Sequence, residues 1–243
     1  MRPLVLLALF ATSVAAAEPS TVNGAVVPAP AKGNESLVAV YSAPQLGHLA
    51  VDGRLALGTR IQVELGGWNL FDDDRAGTFL RGGWLGVRGR LWQSDGVSID
   101  VAGRALAGQE QGTNDAVAGL WAQTASRIRV LRWFSVLPDL ELSWLGPLFQ
   151  ARFANEFRLF TGDWRLGGLG GAQLWVRDGL VTVAPMVEVT VGWRKHFAPF
   201  DLDASAGMAL ARDPSAILGH PVFRDVQGEL GPWAFVRLAF VIN

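Results

Sequence analysis

The chain has 243 residues, half of them hydrophobic, with 21 Lys and Arg against 22 Asp and Glu and no cysteine. That length supports one sizeable domain, while the near-zero net charge excludes an electrostatic nucleic-acid binder and the missing cysteines exclude a disulfide framework. Beyond the N-terminal region no run of about 18 apolar residues occurs, so the pattern predicts no transmembrane helix.

At the N-terminus, Met1-Arg2-Pro3 supplies a positive start, Leu4 to Val14 an apolar stretch, and Ala15-Ala16-Ala17 an A-x-A site ahead of Glu18. This is the layout of a secretory signal, so residues 1–17 are expected to be cleaved. Residues 18–35, rich in Pro, Ala, Gly and small polar side chains, read as a flexible leader. One domain is expected over 36–243.

Within that domain, apolar and polar residues alternate with period two. Ile61, Val63 and Leu65 oppose Arg60, Gln62 and Glu64; Leu85, Val87 and Leu91 oppose Trp84, Arg88 and Arg90; Val97, Ile99 and Val101 oppose Ser98, Asp100 and Ala102. Leu140, Leu142 and Trp144 oppose Asp139, Glu141 and Ser143; Phe153, Phe157 and Leu159 oppose Arg152, Glu156 and Arg158; Leu166, Leu174 and Val176 oppose Arg165, Gln173 and Trp175. The longest run is Leu180 to Arg194, with Val181, Val183, Pro185, Val187, Val189, Val191 and Trp193 on one parity and Glu188 and Arg194 on the other. Only a strand sorts such residues onto two faces. Phe200 to Leu210, with Asp201 and Asp203 on its polar side, and Ala234 to Ile242 complete the set. Two stretches are less regular: 37–57, where Asp52-Gly53 is a possible turn inside an unbroken parity, and 116–135, read as one strand.

Turn chemistry separates these runs at Gln93-Ser94-Asp95-Gly96, Thr161-Gly162-Asp163, Arg177-Asp178-Gly179 and Lys195 to Pro199. Asp-Gly supplies the positive φ that tight hairpins require, so neighbouring strands should be antiparallel. The longer links are 71–77, 109–115 and above all 212–231. The fold class expected is all-β: an antiparallel up-and-down transmembrane β-barrel of 10–12 strands, twelve being the favoured count.

A soluble sandwich also buries one strand face. Strand length and aromatics favour a membrane. Strands of about 9 to 11 residues, apolar outward and polar inward, are what a bilayer-spanning barrel requires. Trp68, Trp92, Trp133, Trp164, Trp175, Trp193 and Trp233 lie near proposed strand ends, where an interfacial aromatic belt would place them.

With its signal segment, lack of cysteine, alternating strands and aromatic strand ends, the chain resembles bacterial outer-membrane β-barrel proteins over residues 37–243. That resemblance implies the outer membrane as location, membrane lipid as partner and a monomer as the assembly. Such barrels typically finish on an aromatic residue, whereas this chain ends Phe240-Val241-Ile242-Asn243. Pro185, with no N–H to give, is expected to force a bulge or local unpairing.

Placing the polar parity inward gives a lumen lined by Arg60, Glu64, Arg88, Arg90, Asp100, Arg104, Glu141, Arg152, Glu156, Arg158, Arg165, Glu188, Arg194, Asp201, Asp203 and Arg237. Arginine forks bridge carboxylates in pairs, so these residues either fill the interior as an ion-paired network or form the wall of a narrow channel for small polar solutes. Barrels of about eight strands are filled by side chains and those of about 16 hold open water, so ten to twelve implies a narrow or plugged bore.

Catalysis is not expected. None of His48, His196 and His220 has a serine two residues on, as the outer-membrane lipid hydrolases that resemble this architecture would need. Gly167-Gly168-Leu169-Gly170-Gly171 lacks the Lys-Ser/Thr of a phosphate loop and reads as close packing beneath a large side chain. Asp72-Asp73-Asp74 reads as a solvated loop tip rather than a metal site. No cofactor is expected. The competing class is a soluble secreted β protein that binds a ligand.

Overall fold

The computed structural model describes residues 36–43, 48–70, 82–109, 116–177, 179–211 and 231–242. The expected signal and leader, Asp72-Asp73-Asp74, and His220 with residues 212–230 lie outside the described residues.

Twelve strands follow one another in the order the alternation sets: β1 Ser36–Ala43, β2 His48–Ala56, β3 Ile61–Leu70, β4 Gly82–Gln93, β5 Val97–Gln109, β6 Ala116–Leu131, β7 Phe134–Leu145, β8 Leu148–Thr161, β9 Trp164–Arg177, β10 Leu180–Phe197, β11 Phe200–Ala211 and β12 Gly231–Ile242. Each pairs antiparallel with its neighbours in sequence, and β1 pairs with β12, closing a barrel. Closure removes both sheet edges, so every strand finds backbone partners on two sides. Asp52-Gly53 is not a turn: β2 runs straight through it, and the connection falls at 57–60. The stretch 116–135 turns back at its end, where β7 begins at Phe134.

The two ends of the barrel differ. One carries the short connections 57–60, 94–96, 132–133, 162–163 and 198–199 together with both ends of the strand series; the other carries 44–47, 71–81, 110–115, 146–147, 178–179 and 212–230. We call them the turn end and the loop end. Gly162 and Gly179 take φ of 60° and 79° in two of the tight connections, a conformation that a Cβ would strain.

Burial alternates along each strand, with charged, polar and small residues and a set of Leu and Trp inside, and most of the Val, Leu, Ile and Phe outside. Two register shifts interrupt the ladders, both near the turn end, between Arg90 and Trp92 and between Arg129 and Leu131. The first has a visible use. Trp84, Arg88 and Arg90 point inward, so unbroken parity would send Trp92 inward as well, and the bulge turns it out.

Pro185 causes no bulge in the β9–β10 ladder, which corrects that half of the expectation; on its β11 side it falls opposite residue 212, outside the described residues. β10 pairs with β9 in one register from Leu180–Arg177 to Trp193–Trp164. The Arg194 N–H donates to Asp163 O on the β9 side, so even-numbered residues of β10 bond to β9 and odd-numbered ones face β11. The absent N–H of Pro185 therefore faces β11, whose described ladder with β10 starts only at Val187. Among the described residues, local unpairing occurs beside Pro138, where the β6–β7 ladder skips from Ala125–Asp139 to Ile128–Val136.

The aromatic belt is also smaller than expected. Trp92, Trp133 and Trp164 stand exposed on the outer face near the turn end, with Trp193 directly across from Trp164. Trp68 and Trp175 instead point inward and are buried, because they share parity with the polar residues of their strands. The Trp233 side chain lies outside the described residues.

Candidate functional site: the ion-paired interior

Among the described residues, nine arginines and nine carboxylates are buried, all on the inner face. A carboxylate removed from water is tolerated only when its charge is paired and its lone pairs are bonded. Glu64 on β3 meets that condition at 0% exposure: Arg88 Nε donates to Oε1 and Arg104 Nε to Oε2, each at 2.7 Å, with Arg54 Nε 3.6 Å from Oε1. Arg54 also binds Asp52 Oδ2 through Nη2 at 2.7 Å, and the Tyr41 hydroxyl donates to the same oxygen at 3.4 Å.

From this hub the network runs round the wall. Arg88 Nη2 donates to Gln123 Oε1 at 2.7 Å, and Gln123 Nε2 passes the chain on to Asp139 at 2.8 Å and Glu141 at 3.1 Å. Arg152 closes this group on both carboxylates, 2.8 Å from Asp139 Oδ2 and in contact with Glu141. Further round, Arg90 pairs with Asp100 at 3.0 Å, Arg158 with Glu156 at 2.6 Å, and Arg165 and Arg237 together hold Asp203 at 2.6 and 2.8 Å. At the turn end Arg194 and His196 both bind Asp201.

Several of these bonds span two strands because a glycine stands between them. Arg104 on β5 reaches Glu64 on β3 across Gly86, where an added Cβ would lie 2.6 Å from Arg104 Cγ. Arg165 on β9 reaches Asp203 on β11 across Gly192 in the same way. Gly167 makes room for Thr190 and lies beside Glu156, in keeping with close packing in that glycine-rich stretch.

Toward the loop end the interior changes character. Trp68 and Trp84 stack with centroids 5.8 Å apart and planes at 17°, and Trp121 on β6 and Trp175 on β9 are also buried. With Leu106, Leu145 and Leu148 they belong to one apolar cluster that takes members from every strand except β11 and extends along β1 and β12 to Leu37 and Val241 near the turn end.

Of the sixteen residues expected inside, fourteen are buried on the inner face. Arg194 is half-exposed at the rim with Asp201. Arg60 is exposed in the β2–β3 connection rather than inside, because β3 starts one residue after it. Sequence reasoning passed over Asp52, Arg54 and Arg127, which are buried with the rest. The signal for the first two was present, since they oppose Leu49, Val51 and Leu55.

No family model and no curated protein matches the chain. Solved structures do. The fold is that of bacterial outer-membrane β-barrels. A KdgM porin in complex with disordered oligogalacturonate superposes with a TM-score of 0.52 over 86% of this chain and 98% of its own, at 6% identity. The NanC porin superposes with a TM-score of 0.50 over 87% of this chain and 100% of its own, at 8% identity. LpxR from Salmonella typhimurium superposes with a TM-score of 0.47 over 86% of this chain and 99% of its own, at 10% identity. At such identities the likeness is one of fold.

Proposed function

We propose that this chain is a monomeric barrel of the bacterial outer membrane whose narrow, charge-balanced interior serves as a passive pore for small polar solutes, shut at rest by its own side chains. The observation that carries the reading is the division of the wall: an outer face of Val, Leu, Ile and Phe, and an inner face on which paired arginines and carboxylates run round the barrel. An apolar exterior suits lipid, and a polar interior suits water-soluble cargo. Two of the aligned structures are porins, which agrees with this use of the fold. The short-turn end faces the periplasm and the loop end the exterior, as the loop asymmetry of these barrels dictates. The fourteen buried positions and the rim residue Arg194 line the path, and membrane lipid is the surrounding partner.

Catalysis has no place in the reading. His196, the histidine whose side chain is described, stands exposed at the turn end, where it contacts only the rim carboxylate Asp201 among the described groups of the network. A second reading, a structural barrel that displays its loops, draws support from how completely the interior side chains are buried.

Two measurements test this. Fractionation should find the protein in the outer membrane, with heat-modifiable migration after detergent extraction; recovery as a soluble periplasmic monomer would overturn the membrane assignment. In planar bilayers the refolded chain should give small, infrequent conductance steps. A bilayer that stays silent, even after the interior side chains are truncated, leaves the structural role.

A further inference from the structure

The charged and aromatic parts of the interior meet at one side chain. Arg104 leaves β5, crosses Gly86 and gives its Nε–H to Glu64, while its guanidinium carbon lies 4.2 Å from the centroid of Trp121 and 5.4 Å from that of Trp84. Trp84 in turn stacks on Trp68. Arg104 thus lies over two indole rings while a carboxylate holds its Nε–H, a combination suited to a planar, permanently charged group.

These indoles belong to the apolar cluster, whose loop-end members, Trp68, Trp84, Leu106, Trp121, Leu145, Leu148 and Trp175, come from seven consecutive strands, β3 to β9, and are each at most 6% exposed. With so little of their surface left open, side chains and not water fill the bore at this level. A constriction of apolar side chains stops water and hydrated ions by dewetting, with no need for a narrow backbone.

We propose that this aromatic layer is the closed gate of the pore and that Arg104 is its latch, a positioning residue that keeps Trp84 and Trp121 across the bore because Glu64 holds it in turn. The inference rests on the pore reading and adds what shuts it. Glu64 fixes the guanidinium, the guanidinium fixes two rings, and Trp84 carries the constraint to Trp68. Release at Arg104 frees the indoles to swing to the wall and lets water cross the layer.

The test uses the full chain refolded in detergent, with heat-modifiable migration as the check on folding, and two readouts: open probability in planar bilayers and quenching of tryptophan fluorescence by iodide, which stays out of the micelle. R104A should raise open probability about tenfold, equivalent to about 1.4 kcal/mol, and should increase iodide quenching. R104K keeps a cation for Glu64 but not the flat group over the rings, so it should fall between R104A and the parent. If R104A does not give a heat-modifiable barrel, W121L, which removes one of those rings, is read in its place.

A folded R104A with unchanged quenching and unchanged current overturns the latch, and a current that rises without added quenching overturns the aromatic layer as the gate. Increased quenching in R104A, with no current either in R104A or in a variant lacking the Trp68, Trp84 and Trp121 rings together, keeps the latch on the layer but overturns the pore reading beneath it.

Discussion

Arg165 on β9 grips Asp203 on β11 through both terminal guanidinium nitrogens, at 2.6 and 2.7 Å, by passing over Gly192 on the strand between them. The register makes this necessary, because Gly192 lies directly across from Arg165 and an added Cβ would come within 2.5 Å of its Cζ. The glycine is a notch, not a hinge. Gly192→Ala should therefore push the guanidinium aside and leave Asp203 with Arg237 alone. Breaking a buried pair costs about 3 to 5 kcal/mol, readable as a lower urea midpoint in lipid vesicles. Gly168→Ala is the control: its nearest neighbour would be Glu188 O at 3.9 Å, so a change within about 0.5 kcal/mol is expected. Equal stability of the two variants would refute the notch.

Glu64 serves three arginines at once, which makes it the most exposed point of failure in the network. Glu64→Gln keeps the shape and removes the charge, leaving Arg88 and Arg104 without their carboxylate while Arg54 retains Asp52. A loss of about 3 to 5 kcal/mol is expected, and little of it should depend on salt, since the site is sealed from ions. Lys195 and Asp163 provide the contrast: 3.0 Å apart but half-exposed, they should yield under about 1 kcal/mol on Lys195→Ala, and less still at high salt. A Glu64→Gln penalty that disappears in high salt would contradict a sealed interior.

The legible and illegible features separate along physical lines. Strand alternation depends on nearest neighbours in one strand, so the two faces of β10, the hairpin chemistry at 161–163 and 177–179, and the inward set from Glu64 to Arg237 were all readable from residue order. Trp68 and Trp175 show where position competes with parity: both sit near strand ends, yet parity decides where they point, and both are inside. Trp92 shows the reverse. Parity would send it inward, and only the register shift after Arg90 sends it out. Arg60 was misplaced because alternation runs past the end of a strand without marking it. The notches at Gly86 and Gly192 were invisible, since they exist only once three strands are in register.

Pro185 tests how far a single-strand argument can be trusted. Its missing N–H faces away from β9, so no β9–β10 bond is lost, and the ladder on that side is unbroken. Pro185→Ala should thus change stability by no more than about 1 kcal/mol, most of it from the added freedom of the unfolded chain. Urea unfolding of the refolded barrel is the check. A gain of several kcal/mol would show that the proline strains a ladder that the register describes as intact.

Depth in the bilayer gives the last prediction. Strands rise about 3.3 Å per residue and tilt by about 40°, so each residue advances about 2.5 Å along the barrel axis, and an apolar band about 25 Å tall takes about ten residues. On β10 the turn-end limit is marked by Trp193, facing Trp164 across the ladder. Ten residues back from it reach Val183, which puts Val187 and Val189 near the midplane and Val181 beyond the band. All three are exposed on the outer face, so solvent accessibility alone does not distinguish them. Lipid does. Val187→Arg should cost about 2 to 4 kcal/mol and Val181→Arg about 0 to 1 kcal/mol, measured as unfolding free energies in vesicles. In a soluble barrel with the same outer face, both arginines would reach water and both costs would be small; equal small costs would therefore remove the chain from the membrane.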